Sequence, residues 1–279
     1  MAYNFVIFYL INYLVMRVSL IIATYNWPES LILALRSIEK QTIVPEEVII
    51  ADDGSTAETK EIIDKFQKDS DLNIIHSWQE DKGFRVAQSR NKAIVKSSGD
   101  YIILVDGDMI LHRKFIQDHI KNAQANYFVQ GSRVLLTEDK SEKILDSKRT
   151  SFSFFSTGLK NRKNAIRSNL LSKIFSSKKN YLKGVRSCNM AFFKDDCMKV
   201  NGFNEDFIGW GREDSEFIVR LLNSGINRKT LRFNAVQYHL WHPQNKSEFL
   251  RKNNLLLKLA IDNNIQYCES GINRYIKGI

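Results

Sequence analysis

The chain has 279 residues, 43% of them hydrophobic, which suffices for a sizeable core and for one large domain. Its 41 Lys and Arg outnumber 31 Asp and Glu, so the formal charge is +10 and an anionic partner is expected: nucleic acid, a nucleotide or an acidic membrane surface. Three cysteines, Cys188, Cys197 and Cys268, show no CxxC spacing, which argues against a disulfide framework and a cysteine zinc site and fits a reducing cytoplasm.

Residues 1–15 are read as an N-terminal extension, either an extra helix or the product of an upstream start with Met16 as the true first residue. The stretch has no basic residue before its apolar run, so it does not read as a secretory signal. Phe5 to Ala23 approaches the roughly 20 apolar residues of a membrane span, but Asn12 and Arg17 interrupt it. "VSLIIA", from Val18, reads instead as a buried strand.

A strand and helix alternation follows to about residue 135. "ESLILALRSIEKQ" carries Leu31, Leu35 and Ile38 at helical spacing, and "EEVIIADDGS" is a second strand stopping in an Asp-Asp-Gly turn. The helix "AETKEIIDKFQKD", the strand "NIIHSW" and the helix "VAQSRNKAIVKSS" come next, the last with Gly99 at a C-cap position. "DYIILVDGD" is the fourth strand. Strands alternating with helices of this length predict a mainly parallel sheet flanked by helices, with ligands outside the strands' carboxyl ends, where "ATYN", "ADDGS" and "VDGD" all fall.

Four parts are thus expected: the extension 1–15, a ligand-binding half 16–135, a variable segment 136–183 and a second half 184–279. From the third part into the fourth, residues 147–194 hold no Asp or Glu but twelve Lys and Arg, interleaved with apolar residues. That pattern reads either as a solvated basic loop or as an amphipathic segment lying on anionic lipid. Beyond it, "CNMAFFKDDC" contains a strand, a helix runs from near Glu213 to Gly225, and "TLRFNAVQYHLWHPQN" reads as a strand leading into a histidine-containing turn.

Three clusters carry candidate chemistry. Asp106 and Asp108 flank Gly107, and one extended step would point both carboxylates the same way, a hard ligand set for Mg²⁺ or Mn²⁺. A lone Asp-Gly-Asp is also an ordinary turn. His239 and His242 lie three apart after a strand, and an imidazole in the metal shell would favour Mn²⁺ over Mg²⁺. In "IGWGREDSEF", Gly209 and Gly211 let the backbone bend around Trp210, whose indole can pack on a sugar ring. Glu213 and Asp214 open the helix after it, where its dipole favours ionised carboxylates able to act as a general base or simply to cap.

Together these residues carry a resemblance. "VSLIIATYNWPESLILALRSIEKQTIVPEEVIIADDGS", "GFRVAQSRNKAI" and "GDYIILVDGDM" resemble the nucleotide-sugar-binding half of family 2 glycosyltransferases with the GT-A fold. "NGFNEDFIGWGREDSEF" is similar to the C-terminal galactosyltransferase-type motif of β-1,4-galactosyltransferases and bacterial chondroitin polymerases. The likeness covers roughly residues 17–135 and 184–245 and implies an α/β fold of GT-A type, with a Rossmann-like sheet and a smaller acceptor-side region. It implies that Ala23, Tyr25 and Asp53, with Asp52 beside it, hold uridine, and that Arg85 contacts the diphosphate region. It further implies that Asp106 and Asp108 are the metal pair, Asp106 also anchoring ribose or phosphate, with His242 or His239 completing the shell. Asp214 is then the catalytic base, with Glu213 and Trp210 shaping the sugar pocket.

The implied enzyme is an inverting, metal-dependent UDP-sugar transferase. Its acceptor would be a saccharide or glycolipid in bacterial lipopolysaccharide or capsule synthesis, at the cytoplasmic face of the inner membrane. Segment 136–183 matches none of the family's motifs. Three other readings fit parts of the sequence. A nucleic-acid-binding protein has the charge but no helix-turn-helix, zinc or aromatic RNA motif. A nucleotidyltransferase would need a Gly-rich basic loop where "ATYNWPES" stands. A relative that binds sugar nucleotide without turnover would not require all the chemical groups present here.

Overall fold

A computed structural model describes residues 16–243 and 248–276. The extension read at 1–15 lies outside the described residues. In chain order the elements are β1 (Val18–Thr24), α1 (Pro28–Ile38), β2 (Glu47–Asp52), α2 (Ala57–Asp69), β3 (Ile74–Trp78), α3 (Val86–Lys96), β4 (Tyr101–Asp106), β5 (Met109–Leu111) and α4 (Phe115–Asn122). Then come β6 (Tyr127–Gln130), β7 (Val134–Leu136), α5 (Glu138–Ser147), β8 (Leu159–Lys160), α6 (Asn169–Phe175), β9 (Met190–Phe193), α7 (Lys194–Lys199), α8 (Glu213–Asn223), β10 (Asn227–Thr230), β11 (Gln237–His239) and α9 (Leu250–Asp262).

A seven-stranded sheet in the order β10-β6-β9-β4-β1-β2-β3 is the centre of the molecule. Strands β4, β1, β2 and β3 are mutually parallel, while β9 runs antiparallel between β4 and β6. The near-continuous apolar runs of β1, β2 and β4 follow from burial on both faces. Side chains alternate as the pleat requires. Leu20, Ile22, Val48, Ile50 and Ile103 pack with Leu31 and Leu35 of α1 and Phe115 and Ile116 of α4. Ile21, Ile49, Ile102 and Leu104 pack on the other face with Ala93 and Ile94 of α3 and Phe217 and Leu221 of α8.

A second sheet, β5-β11-β7-β8, has its own small core around Ile110, Val134, Leu136, Ile144 and Tyr238. Strand β5 follows β4 after only two residues, so Gly107 and Asp108 form the turn where the chain passes from one sheet to the other. Asp106 and Asp108 are therefore not joined by one extended step as the sequence suggests: Asp106 closes a strand and Asp108 belongs to a turn.

Three further expectations differ from the structure. Residues 227–239 are two short strands in different sheets, separated by a loop in which Phe233 and Ala235 take positive φ. Gly99 is no helix cap, since α3 ends at Lys96 and Ser97 after it is already in extended backbone. It is small because the chain passes close beside β1: a Cβ there would lie 2.5 Å from Ser19 Oγ and 2.7 Å from its backbone nitrogen. The basic segment 136–183 is neither one loop nor one amphipathic stretch, because it contains α5, β8 and α6. No helix among the described residues is long and apolar enough to cross a membrane.

The close approach at Gly99 gives a first test. Gly99→Ala should destabilise the fold by about 1–3 kcal/mol in denaturant titration, because β1 backbone cannot yield without disturbing both neighbouring strands. An unchanged midpoint would contradict that packing.

Candidate active site

The carboxyl ends of β1, β2 and β4 open on a cleft of about 1020 Å³. It is lined from the first half by Ala23, Tyr25, Asp53, Arg90, Asp106 and Asp108, and from the second by Trp210, Glu213, Asp214, His239 and His242. Strand ends supply the first group because β1, β2 and β4 end side by side, with Thr24 opposite Asp52 and Ala23 opposite Asp106.

On the β1 and β2 side the two adjacent acids behave differently. Asp52 is buried and holds its own turn: Oδ1 accepts from the backbone N–H of Gly54 (3.2 Å) and Ser55 (2.8 Å), and Oδ2 meets His76 Nε2 at 2.9 Å. Burial would raise its pKa, but His76 and Ser55 outweigh that and lower it. Asp53 faces the cleft and accepts from Gln79 Nε2 (2.6 Å) and Arg85 N–H (2.7 Å); burial pushes it up to about 6. The Tyr25 hydroxyl donates to Asp81 across 2.9 Å. Arg85, just before α3, turns its guanidinium to the Lys82 carbonyl, at 3.0 Å, so its neighbours Phe84 and Val86 line the cleft and its own side chain does not.

Asp106 and Asp108 open on the same cleft with different partners. Asp106 Oδ1 accepts from Arg90 NH2 at 3.2 Å. Burial raises its carboxyl above the ordinary range, Arg90 opposing this and Asp108 adding to it. Asp108 Oδ2 lies 3.1 Å from His239 Nε2 and 3.2 Å from His242 Nε2. Burial alone would raise Asp108, yet the two imidazoles hold it well below the usual carboxylate range.

His239 is placed by the pairing of β11 with β5, where it sits opposite Met109, and His242 by the turn that follows. His242 Nδ1 lies 2.9 Å from the Pro243 carbonyl, which can only accept, so Nδ1 carries a proton. In the neutral ring Nε2 then points a lone pair at a carboxylate oxygen. A second proton relieves that repulsion, consistent with the raised pKa of His242 beside Asp108; so does a cation between them. One ligand atom from each of Asp108, His239 and His242 lies within 4.8 Å of the others, and Asp108 Oδ1 is buried without a hydrogen-bond partner among the described residues. This donor set fits a divalent ion with imidazole affinity.

The loop before α8 lines the same cleft. Gly209 has φ +75°, and a Cβ there would strike the Phe249 ring, so only glycine lets the loop close on α9. Buried Asn253 of α9 pins it by donating to the carbonyls of Ile208 (3.2 Å) and Gly211 (2.9 Å). Trp210 is thereby held half exposed at the cleft rim. Asp214 sits in the first turn of α8, its pKa pushed up to about 7 by burial and by Glu213 next to it, against Arg90.

Arg90 joins the two sides. Its guanidinium is 4% exposed and bridges Asp106 and Glu213 Oε1, each at 3.2 Å. Burial disfavours its charge, but Asp106, Glu213 and Asp214 together raise its pKa. Sequence reasoning passed over it, although its position on the α3 face shared with Val86, Ala93 and Ile94 marks it as a cation turned inward. Arg133, Arg186 and Trp241 also line the cleft without a motif to announce them.

The model of glycosyl transferase family 2 matches residues 19–198. The chain belongs to that family. A second family model, described as the N-terminal domain of galactosyltransferase, matches residues 172–243 of this family 2 chain. Among curated relatives, it is 28% identical over 257 residues to the chondroitin synthase of Escherichia coli, an alignment covering 82% of this chain and 35% of that protein. It is 27% identical to the uncharacterized glycosyltransferase YfnE of Bacillus subtilis, covering 82% of this chain and 66% of that one. The family 2 chain thus spans about a third of the chondroitin synthase and just under two thirds of YfnE. Among solved structures, S. aureus TarS 1-349 superposes with a TM-score of 0.61 at 17% identity, over 93% of this chain and 68% of that one. The same TarS fragment in complex with UDP-GlcNAc gives 0.59 at 18% identity, over 93% and 69%. That likeness shows the fold, an α/β sheet of GT-A type.

Replacing Arg90 by Met would leave Asp106 and Glu213 facing each other in a site without their shared cation. Arg90→Met is expected to cost about 3 kcal/mol of stability by denaturant titration. Stability within about 0.5 kcal/mol of the parent, the range of ordinary surface changes, would contradict the bridging role.

Proposed function

We propose that this family 2 glycosyltransferase is an inverting enzyme that moves a hexose or N-acetylhexosamine from a UDP-sugar to a saccharide or glycolipid acceptor. The observation that carries the reading is one cleft lined together by Asp53, the Asp108–His239–His242 cluster, Trp210 and Asp214. TarS, of the same fold, has been crystallised with UDP and with UDP-GlcNAc, which supports a nucleotide-sugar donor. Chondroitin synthases among the relatives support a polysaccharide acceptor, and we assign the enzyme to bacterial lipopolysaccharide or capsule synthesis at the cytoplasmic face of the inner membrane.

Residues 16–135 would bind the donor and 184–279 the acceptor, with 136–183 between them contributing Leu136 and Lys160 to the cleft wall. Ala23, Tyr25 and Asp53 would hold uridine, Asp52 acting through the turn it fixes. Asp108, His239 and His242 would hold a divalent ion, Mn²⁺ rather than Mg²⁺ because two of the three are imidazoles, with Asp106 beside it. Such an ion offsets the negative charge of a leaving diphosphate. Arg85 would approach the diphosphate only by turning from Lys82, whereas Arg90 already presents its charge at the cleft.

Asp214 would take the proton from the acceptor hydroxyl, while the half-exposed Trp210 packs on the apolar face of a sugar and Glu213 keeps Arg90 in place. As the base, Asp214 would direct the acceptor hydroxyl at the anomeric carbon from the face opposite the diphosphate, giving a β-linked product from a UDP-α-sugar.

A base must be ionised, and Asp214 is pushed up to about 7, so the transfer rate should fall as pH drops through about 7. Asp214→Asn should lower turnover about 10²–10⁴-fold and remove that acidic limb from the residual rate. A variant with near-parental turnover, or an α-linked product from a UDP-α-sugar, would overturn the assignment.

A further inference from the structure

A second groove, of about 600 Å³, lies between the end of α4, the edge strand β10 and α6. Strand β10 is three strands from β4 in the sheet, about 15 Å at ordinary interstrand spacing, on the side away from β2 and β3. Four lysines line it, Lys121, Lys173, Lys178 and Lys229, and no carboxylate does. Only two of them belong to the basic run 136–183. The other two come from α4 and β10, so the fold, and not local composition alone, gathers the charge.

The groove has features of a built site. Lys229 Nζ donates to the Asn122 carbonyl at 3.0 Å, which fixes it in place, and burial together with Lys178 lowers its pKa, as happens among like charges without a counter-anion. Asn234 is 4% exposed and lines the same groove, and its Oδ1 has no partner among the described residues, leaving an acceptor for a hydroxyl. Beside the groove, α6 turns Leu170 and Ile174 to solvent, 69% and 61% exposed and four residues apart on one helix face. The helix is fastened behind by the Ser168 cap at its start and by the bridge between Ser177 and Thr230 after its end.

Aliphatic side chains standing outward beside converging lysines are what a surface resting at the boundary of headgroups and acyl chains presents. A single-stranded nucleic acid would call for aromatic platforms within the groove, and none of its lining residues is aromatic; Phe175, 57% exposed at the end of α6, instead extends the apolar edge beside it. We infer that this groove takes the phosphate of an anionic lipid headgroup between its lysines, with Leu170 and Ile174 dipping into the interface. The inference rests on the membrane part of the proposed function and is independent of the transfer chemistry.

The test is flotation of the full chain with vesicles of phosphatidylcholine alone and of equal parts phosphatidylcholine and phosphatidylglycerol, with UDP binding in Mn²⁺ measured on the same samples. Binding is expected only to the anionic vesicles. The double variant K173Q/K178Q should bind them about 25-fold more weakly, from the usual increment per basic residue at a membrane surface. L170S/I174S should also lose binding, both with UDP binding unchanged. K65Q/K68Q, which removes two exposed charges from α2, should bind vesicles as the parent does. Equal loss in K65Q/K68Q, parental binding in the groove variants, or equal binding to neutral vesicles would overturn the site. Vesicle binding in this pattern by a parent that does not bind UDP would leave the lipid site standing and remove the transferase reading.

Discussion

The guanidinium of Arg90 is the contact on which the site's two sides depend. A buried cation of this kind persists only if carboxylates surround it, and those that do come from β4 and from the first turn of α8, more than a hundred residues apart in sequence. The side chain thus ties the sheet end that carries Asp106 to the helix that carries Asp214. It also sets their electrostatics, because Asp106, Glu213 and Asp214 would repel one another without a shared positive charge between them. Its helix is itself held from the other side: Asn91 donates to the Phe203 carbonyl (2.7 Å) and Glu205 Oε1 (2.9 Å), and accepts from Phe203 N–H (2.8 Å). Neighbouring residues of α3 therefore grip both the cleft and the loop leading to Trp210.

The second organising feature is the passage between sheets. Because β4 ends at Asp106 and β5 begins at Met109, Asp108 stands in a two-residue turn, and the pairing of β5 with β11 brings His239 directly to it. The cluster of one carboxylate and two imidazoles is a consequence of that register. Shifting β11 by one residue would turn His239 to the opposite face of its sheet.

Much of the fold was legible in the sequence. The apolar runs of β1, β2 and β4 and the helical spacing of Leu31, Leu35 and Ile38 are local signals that tertiary packing agrees with, and the polar clusters at strand ends followed from parallel topology. What was not legible depended on contacts distant in sequence. Gly99 looks like a cap until β1 is seen beside it. The Asp-Gly-Asp spacing suggests one extended step because nothing local says that two sheets meet there. Arg90 lies within "GFRVAQSRNKAI", but a basic residue in a helix ordinarily faces water, and only the two carboxylates explain its burial. The basic segment conceals α5, β8 and α6 because these elements are short and α6 leaves most of its apolar residues outside.

The most direct test of the cleft as a metal and diphosphate site is calorimetric titration of the protein with UDP, with and without Mn²⁺, for the parent and for Asp108→Asn. The account predicts that UDP binds the parent with Mn²⁺, binds far more weakly without it, and in Asp108→Asn gains nothing from the metal. Absence of UDP binding with Mn²⁺ present, or equal Mn²⁺-dependent binding in both proteins, would contradict it.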